Sequence, residues 1–215
     1  MIIFKDVVFN KVQCQKELDE VKQLFAPCPN IDEIKGKGDF LGGLQGIFER
    51  RTQLFALLGK IVFGEIATKW NKNAKFGDFI ADFVIANKTE KKVCLIEFED
   101  AKEESIFAEK TRSDRTVTYE WSTRFDHGYS QILDWKYHAM EEKESVKGDF
   151  SQKPKEIEFA LFIGWSKYLQ QSNFQERFDF RKNKVTIESK AFYCMCFDSL
   201  IDELQEKLDL YNAGY

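Results

Sequence analysis

Residues 79–86 read Phe-Ile-Ala-Asp-Phe-Val-Ile-Ala, and residues 93–99 read Val-Cys-Leu-Ile-Glu-Phe-Glu. Both runs are apolar at nearly every position, which predicts central strands covered on both faces. The polar segment Asn87-Lys88-Thr89-Glu90-Lys91-Lys92 between them reads as the turn of a hairpin. Side chains alternate faces along a strand, so Val93, Leu95, Glu97 and Glu99 share one side. Ile80, Asp82 and Val84 share a side on the preceding strand. A two-residue turn pairs Lys88 with Lys91, and a four-residue loop pairs Asn87 with Lys92. Both closures give the same register and set Asp82 opposite Glu97. Directly opposed side chains have Cβ atoms about 4.5–5.5 Å apart. Two carboxylates that close repel unless a proton or cation lies between them. A hard divalent ion such as Mg²⁺ takes oxygen ligands of this kind.

A plainer reading stands beside this one. Asp82 could end its strand and pair with a lysine, and Glu97 and Glu99 could line a solvated edge. Against that, Asp82 sits inside an apolar run, where an unpaired charge is costly. Glu97 likewise follows a run that reads as buried.

Outward from the hairpin, Cys14, Leu18, Val21 and Phe25 form one stripe of a helix over 12–25, ended by Pro27 and Pro29. The Gly-rich stretch 36–46 reads as a loop. A second helix is predicted over 47–70, with Leu54, Leu58 and Ile61 on a stripe that continues to Glu65. Gly59 and Gly64 weaken it by roughly 1 kcal/mol each relative to Ala. After the hairpin comes a charged connection, 100–124, whose structure the sequence leaves open. A third helix is expected over 126–142, with Tyr129, Leu133, Tyr137 and Met140 on its apolar side. Strand-like runs follow at 157–164, 185–188 and 191–197. A last helix over 198–211 is expected to be capped by Asp198 or Ser199. This order predicts an α/β protein, in the sense of an α+β mixed sheet with helices packed on it.

The chain has 215 residues, 43% apolar and 32% charged, which is a globular composition and enough to bury a core. No stretch approaches the roughly 20 apolar residues of a membrane helix, and the N-terminus does not read as a signal peptide. The five cysteines have no disulfide or zinc spacing, which predicts reduced, buried thiols and a cytoplasmic setting. The net charge of −4 confines any nucleic-acid surface to local patches. Two basic segments qualify: Lys102, Lys110, Arg112, Arg115 and Arg124, then Arg177, Arg181, Lys182 and Lys184. Each also fits an ordinary solvated surface.

Asp82, a 14-residue spacer and Glu97-Phe98-Glu99 together resemble the PD-(D/E)XK phosphodiesterase motif. Gly128-Tyr129-Ser130-Gln131-Ile132-Leu133-Asp134-Trp135 resembles the glutamine-bearing helix of Shedu nucleases, bacterial anti-phage proteins with that core. The resemblance covers roughly residues 50 to 165. It implies a restriction-endonuclease-like core over about 47–165 of one domain spanning 1–215, with an N-terminal helix and a C-terminal strand and helix added. It implies that Asp82 and Glu97 bind Mg²⁺ or Mn²⁺, that Gln131 orients water or phosphate, and that Glu65 matches an acidic residue some members add to the metal site. Ala81 stands where the motif has proline, and Glu99 where it has lysine. A glutamate cannot offer positive charge to a phosphate, but a third carboxylate, Glu99, could recruit a second metal ion.

The function so implied is a metal-dependent DNA endonuclease or nickase in anti-phage defence. The alternative is a catalytically silent nuclease fold that binds nucleic acid or a protein. DNA is the expected partner, with a homo-oligomer left open and neither a membrane nor a small-molecule cofactor expected. On the third helix Arg124, His127, Gln131, Asp134 and His138 form a polar side, either facing solvent or rimming the active cleft. Trp121 and Trp135 are candidate stacking platforms for bases, and equally candidates for the core.

Overall fold

The computed structural model describes residues 1–141, 148–184 and 192–214. A mixed central sheet flanked by helices organises them, in the order β1-β2-β3-β4-β7-β8. Its strands are β1 (Lys5–Asp6), β2 (Lys69–Phe76), β3 (Phe79–Ala86), β4 (Lys92–Phe98), β7 (Glu156–Phe162) and β8 (Tyr193–Met195). Pairing is antiparallel from β1 to β4, then parallel from β4 to β7 and β7 to β8. The β3–β4 ladder runs from Ala86↔Val93 to Phe83↔Ile96, the register both turn geometries predict.

Helices α1 (Lys11–Phe25), α3 (Gly43–Glu49), α4 (Thr52–Phe63) and α7 (Phe197–Asn212) bury one face of the sheet, with Phe83, Ile85, Cys94 and Ile96 beneath them. Helices α5 (Thr123–Glu141) and α6 (Phe174–Lys184) cover the other, over Val84, Leu95, Phe159 and Leu161. A four-residue helix, α2 (Ile31–Ile34), precedes α3.

The helix expected over 47–70 is in fact two helices and the start of a strand. Chain direction changes at Arg50 and Arg51, and the first turn of α4 is capped from outside: the Glu17 carboxylate on α1 accepts Gln53 N–H at 2.9 Å. A cap supplied by a distant helix leaves no local mark. Gly64, at φ +74°, ends α4 in the left-handed conformation that favours glycine. A Cβ on Gly59 would lie 2.4 Å from Ala67 N, so this glycine lets the chain double back over α4.

Strand β2 was not visible in the sequence because its alternation is interrupted. Trp70 packs in one core, whereas Ala74 and Phe76 pack in the other. Residues four and six apart on a regular strand share a face. Between them Asn73 has φ +49°. On β3 the same reversal separates Ala81 from Phe83. Pairing skips the opposed positions 73 and 82, while Lys72↔Phe83 and Ala74↔Ala81 hold on either side. Both strands therefore turn over together at Asn73 and Asp82.

The charged connection carries a separate two-stranded ribbon, β5 (Phe107–Thr111) and β6 (Val117–Trp121). Helix α6 was not anticipated. The run 185–188 lies outside the described residues. Asp198 does not cap α7, whose N-cap is Cys196 without a side-chain bond; its carboxylate instead accepts from Ser166 N at 3.0 Å. The apolar side of α5 is rotated from the predicted one: Phe125, Tyr129, Ile132 and Trp135 are buried, and Tyr137 is 65% exposed.

Candidate metal centre

Beyond Phe83↔Ile96 the β3–β4 ladder stops, and side chains occupy the missing rungs. Asp82 Oδ2 accepts Phe98 N–H at 2.8 Å. The Glu97 carboxylate in turn takes a bond from the Asp82 backbone N–H and approaches the Gln131 side chain. Backbone pairing between β3 and β4 ends where β3 turns over at Asp82, and the Asp82 and Glu97 carboxylates form an acidic notch in place of the missing rungs. Gln45 on α3 donates to Asp82 Oδ1 from the opposite side.

Helix α5 roofs the notch. Gly128 lies against Glu99, where a Cβ would come within 2.8 Å of Glu99 Cγ and Leu161 Cδ1. That close approach lets Glu99, 5% exposed, sit under the helix. His127 Nδ1 meets Glu99 Oε1 at 2.7 Å, and Arg124 Nη1 is 4.0 Å from Oε2. Arg124 Nε also lies 3.5 Å from Asp100 Oδ2.

Burial raises all three carboxyl pKa values. For Glu97 desolvation comes first, then repulsion from Asp82 and Glu99, which push it well above the ordinary carboxylate range. Asp82 also rises, mainly by desolvation and secondly by Glu99, against the opposing pull of the Phe98 and Gln45 hydrogen bonds. Glu99 rises by desolvation, held back by His127 and Arg124. Bonding makes good only part of the desolvation of Glu97: its Oε2 and Gln131 Oε1 are buried without a hydrogen-bond partner. Unpartnered buried oxygens beside a second carboxylate are costly on their own.

The structure thus brings Asp82, Glu97, Glu99 and Gln131 together, with His127 and Arg124 on the rim. It does not bring Glu65. Gly64 turns the chain away after α4, leaving Glu65 exposed and paired with Lys92 Nζ at 3.4 Å, at the turn end of the hairpin. His138 is buried, not on the cleft rim, and meets Asp149 Oδ2 at 3.2 Å. Trp135 is fully buried. Trp121 is packed between Phe107 and Phe125, with the Arg181 guanidinium 4.7 Å from its ring.

Gln45 and Asn73 are the residues that sequence reasoning missed. Asn tolerates φ > 0 better than most residues, but Asn71 carries the same signal two residues earlier, and the Lys, Asn and Ala of β2 are poor strand formers that hide the strand itself. Nothing local marks Gln45. The donor set is all oxygen, which suits Mg²⁺ or Mn²⁺, and the orphaned Glu97 Oε2 and Gln131 Oε1 fit such an ion. Among the described residues no three His, Cys, Asp or Glu side chains form a ready-made metal cluster; Glu99 is turned toward His127 and Arg124. Among these residues, too, no helix is long and apolar enough to cross a membrane.

Residues 13–201 match the family model described as Shedu protein SduA, C-terminal. No curated protein matches the chain.

Proposed function

The chain belongs to the Shedu protein SduA C-terminal family, and from that premise we propose a metal-dependent DNA endonuclease or nickase of the PD-(D/E)XK type, acting in anti-phage defence. The family supports the defence role. The acidic notch supports the chemistry, and one observation carries it: a buried carboxylate oxygen, Glu97 Oε2, left without a partner beside Asp82 and the equally unpartnered Gln131 Oε1.

Asp82 and Glu97 would hold the ion, with the Gln131 carbonyl beside them. The bound ion would act as a Lewis acid on a phosphodiester and lower the pKa of water. The chain's own residues supply the rest. Phe98 N–H and Gln45 fix the Asp82 carboxylate from two sides. Glu99, in place of a lysine, gathers Arg124 and His127. Positive charge for the scissile phosphate then comes from α5 rather than from β4. Because the metal-free carboxyl groups have raised pKa values, loading the notch releases protons and strengthens as pH rises.

The test is nicking of supercoiled plasmid with Mg²⁺ or Mn²⁺, beside calorimetric titration of Mn²⁺. Asp82→Asn keeps an acceptor for Phe98 N–H, and Glu97→Gln keeps side-chain shape. Each should lower the nicking rate by roughly two orders of magnitude or more. Undiminished nicking by both variants would overturn the assignment. Mn²⁺ binding without cleavage by the wild-type protein would favour a silent, nucleic-acid-binding fold instead.

A further inference from the structure

The five basic residues of 102–124 do not have the same fate in the fold. Lys102 Nζ pairs with Asp100 at 3.0 Å, Lys110 Nζ with Glu120 at 2.8 Å, and Arg124 with Asp100 and Glu99. In the second basic segment Arg177 lies 4.4 Å from the Phe107 ring centre and donates to Tyr119 O, and Arg181 pairs with Asp126. Apart from Arg124, which belongs to the rim of the candidate metal centre, these side chains brace the structure. Arg112 and Arg115, at the tip of the ribbon, do not: among the described residues neither has an ion pair, and both are exposed. The acidic residue between them, Asp114, is engaged with Thr116 N–H at 2.9 Å. The tip thus presents two uncommitted guanidinium groups.

The ribbon that carries them is anchored at its root. Its two ends join beside the candidate metal centre, one following Asp100 and the other leading into α5 at Ser122. Ser122 donates through Oγ to Ser105 O, and Ser105 Oγ donates to Asp100 Oδ1 at 2.6 Å. Phe107 is stacked on Phe174 with ring centres 4.5 Å apart, so the root is packed on α6 while the tip is solvated. Five residues per strand give a reach of about 17 Å. A two-stranded ribbon of this kind fits the major groove of a duplex, and guanidinium groups pair bidentately with phosphate.

We propose that the β5–β6 ribbon is an arm that grips the backbone of duplex DNA through Arg112 and Arg115, next to the notch. The inference rests on the nuclease reading of that notch, because the duplex is the substrate that reading requires. Two phosphate contacts on a solvated arm position DNA without reading its sequence. They also appear in the salt dependence of binding, since each neutralised phosphate contributes about 0.9 to the slope of log K against log salt.

The experiment uses the full chain with Ca²⁺ in place of Mg²⁺ and a fluorescein-labelled duplex of arbitrary sequence, followed by anisotropy across a salt series. Arg112→Gln combined with Arg115→Gln should weaken binding equally on unrelated sequences and lower the slope by about 2. Lys11→Gln with Lys16→Gln, on the far side of the sheet, should leave the slope unchanged. Thermal melts and Mn²⁺ calorimetry should match wild type for both pairs, because the substituted side chains are exposed. If wild type binds duplex and the tip variant shows the same slope, the arm is wrong while the reading of the notch stands. If wild type binds no duplex at low salt, the nuclease reading itself fails, and the arm with it. Binding of single strands but not duplex would also overturn the arm.

Discussion

Glu17 and Glu97 are both nearly inaccessible, at 4% and 7% exposure, and burial raises the pKa of each. Their surroundings differ in kind. Glu17 accepts Gln53 N–H at 2.9 Å and Gln13 Nε2 at 3.2 Å, with the Arg51 guanidinium nearby. Its neighbours complete it, and in return it caps α4. Glu97 has two more carboxylates as neighbours and an oxygen with no partner. A buried acid that serves the fold is satisfied within the chain. One that is left incomplete is where the proposed ion would complete it.

The strongest way to break this contrast is a metal-dependent thermal shift. A ligand at a hundred times its Kd stabilises the folded state by about 2.7 kcal/mol. Wild type and Glu17→Gln should both gain on that scale from Mn²⁺, and Glu97→Gln should gain nothing. An equal gain in all three would place the ion elsewhere.

Without metal the ranking reverses. Glu17→Ala strands the Gln53 N–H and the end of α4, and should cost about 1–3 kcal/mol by urea unfolding. Glu97→Gln removes a repelled charge and should be neutral or stabilising by up to about 1 kcal/mol. A destabilised Glu97→Gln would mean that Glu97, like Glu17, is a structural acid.

A smaller effect lies in pH. The folded-state pKa values of Asp82, Glu97, Glu99 and Glu17 are all raised. Such groups favour the fold below the unfolded carboxyl range and lose that contribution as pH climbs through their folded values. Metal-free wild type should therefore melt lower at about pH 8 than at about pH 5. Glu97→Gln should flatten that decline. Mn²⁺ should cancel the share owed to the notch and leave the share owed to Glu17. The smallest expectation concerns Glu65, itself half exposed in its pair with Lys92. Glu65→Gln should change stability by less than about 0.5 kcal/mol and Mn²⁺ affinity not at all.

The β3–β4 hairpin was legible because both of its plausible turns agree on register, and because Asp82 interrupts an apolar run. Helical spacing put Arg124, His127 and Gln131 on one side of α5, but left open whether that side met solvent or the cleft. The apolar side of α5 did not, since Tyr137 scores as hydrophobic yet points outward. What escaped the sequence depends on distant contacts or on one backbone angle. The break before α4 depends on Glu17, 36 residues upstream of the amide it caps. Strand β2 was hidden by the left-handed Asn73. Glu65 was misplaced because its stripe was extended through Gly64, where the helix has already ended. Gln45 reaches Asp82 across 37 residues of sequence, and no periodicity encodes that.

The serine clasp at the root of the ribbon has a consequence for how the molecule can vary. Ser105 and Ser122 close residues 106–121 into a loop whose ends are fixed to each other, while Asp100 and α5 stay in place on either side. Between the packed root residues Phe107 and Trp121, the outer part of this loop is an interchangeable cassette. Doubling the length of that flexible outer part costs only about 0.6 kcal/mol of closure entropy. Length and tip chemistry can therefore drift, or be swapped by design, on an unchanged chemical centre.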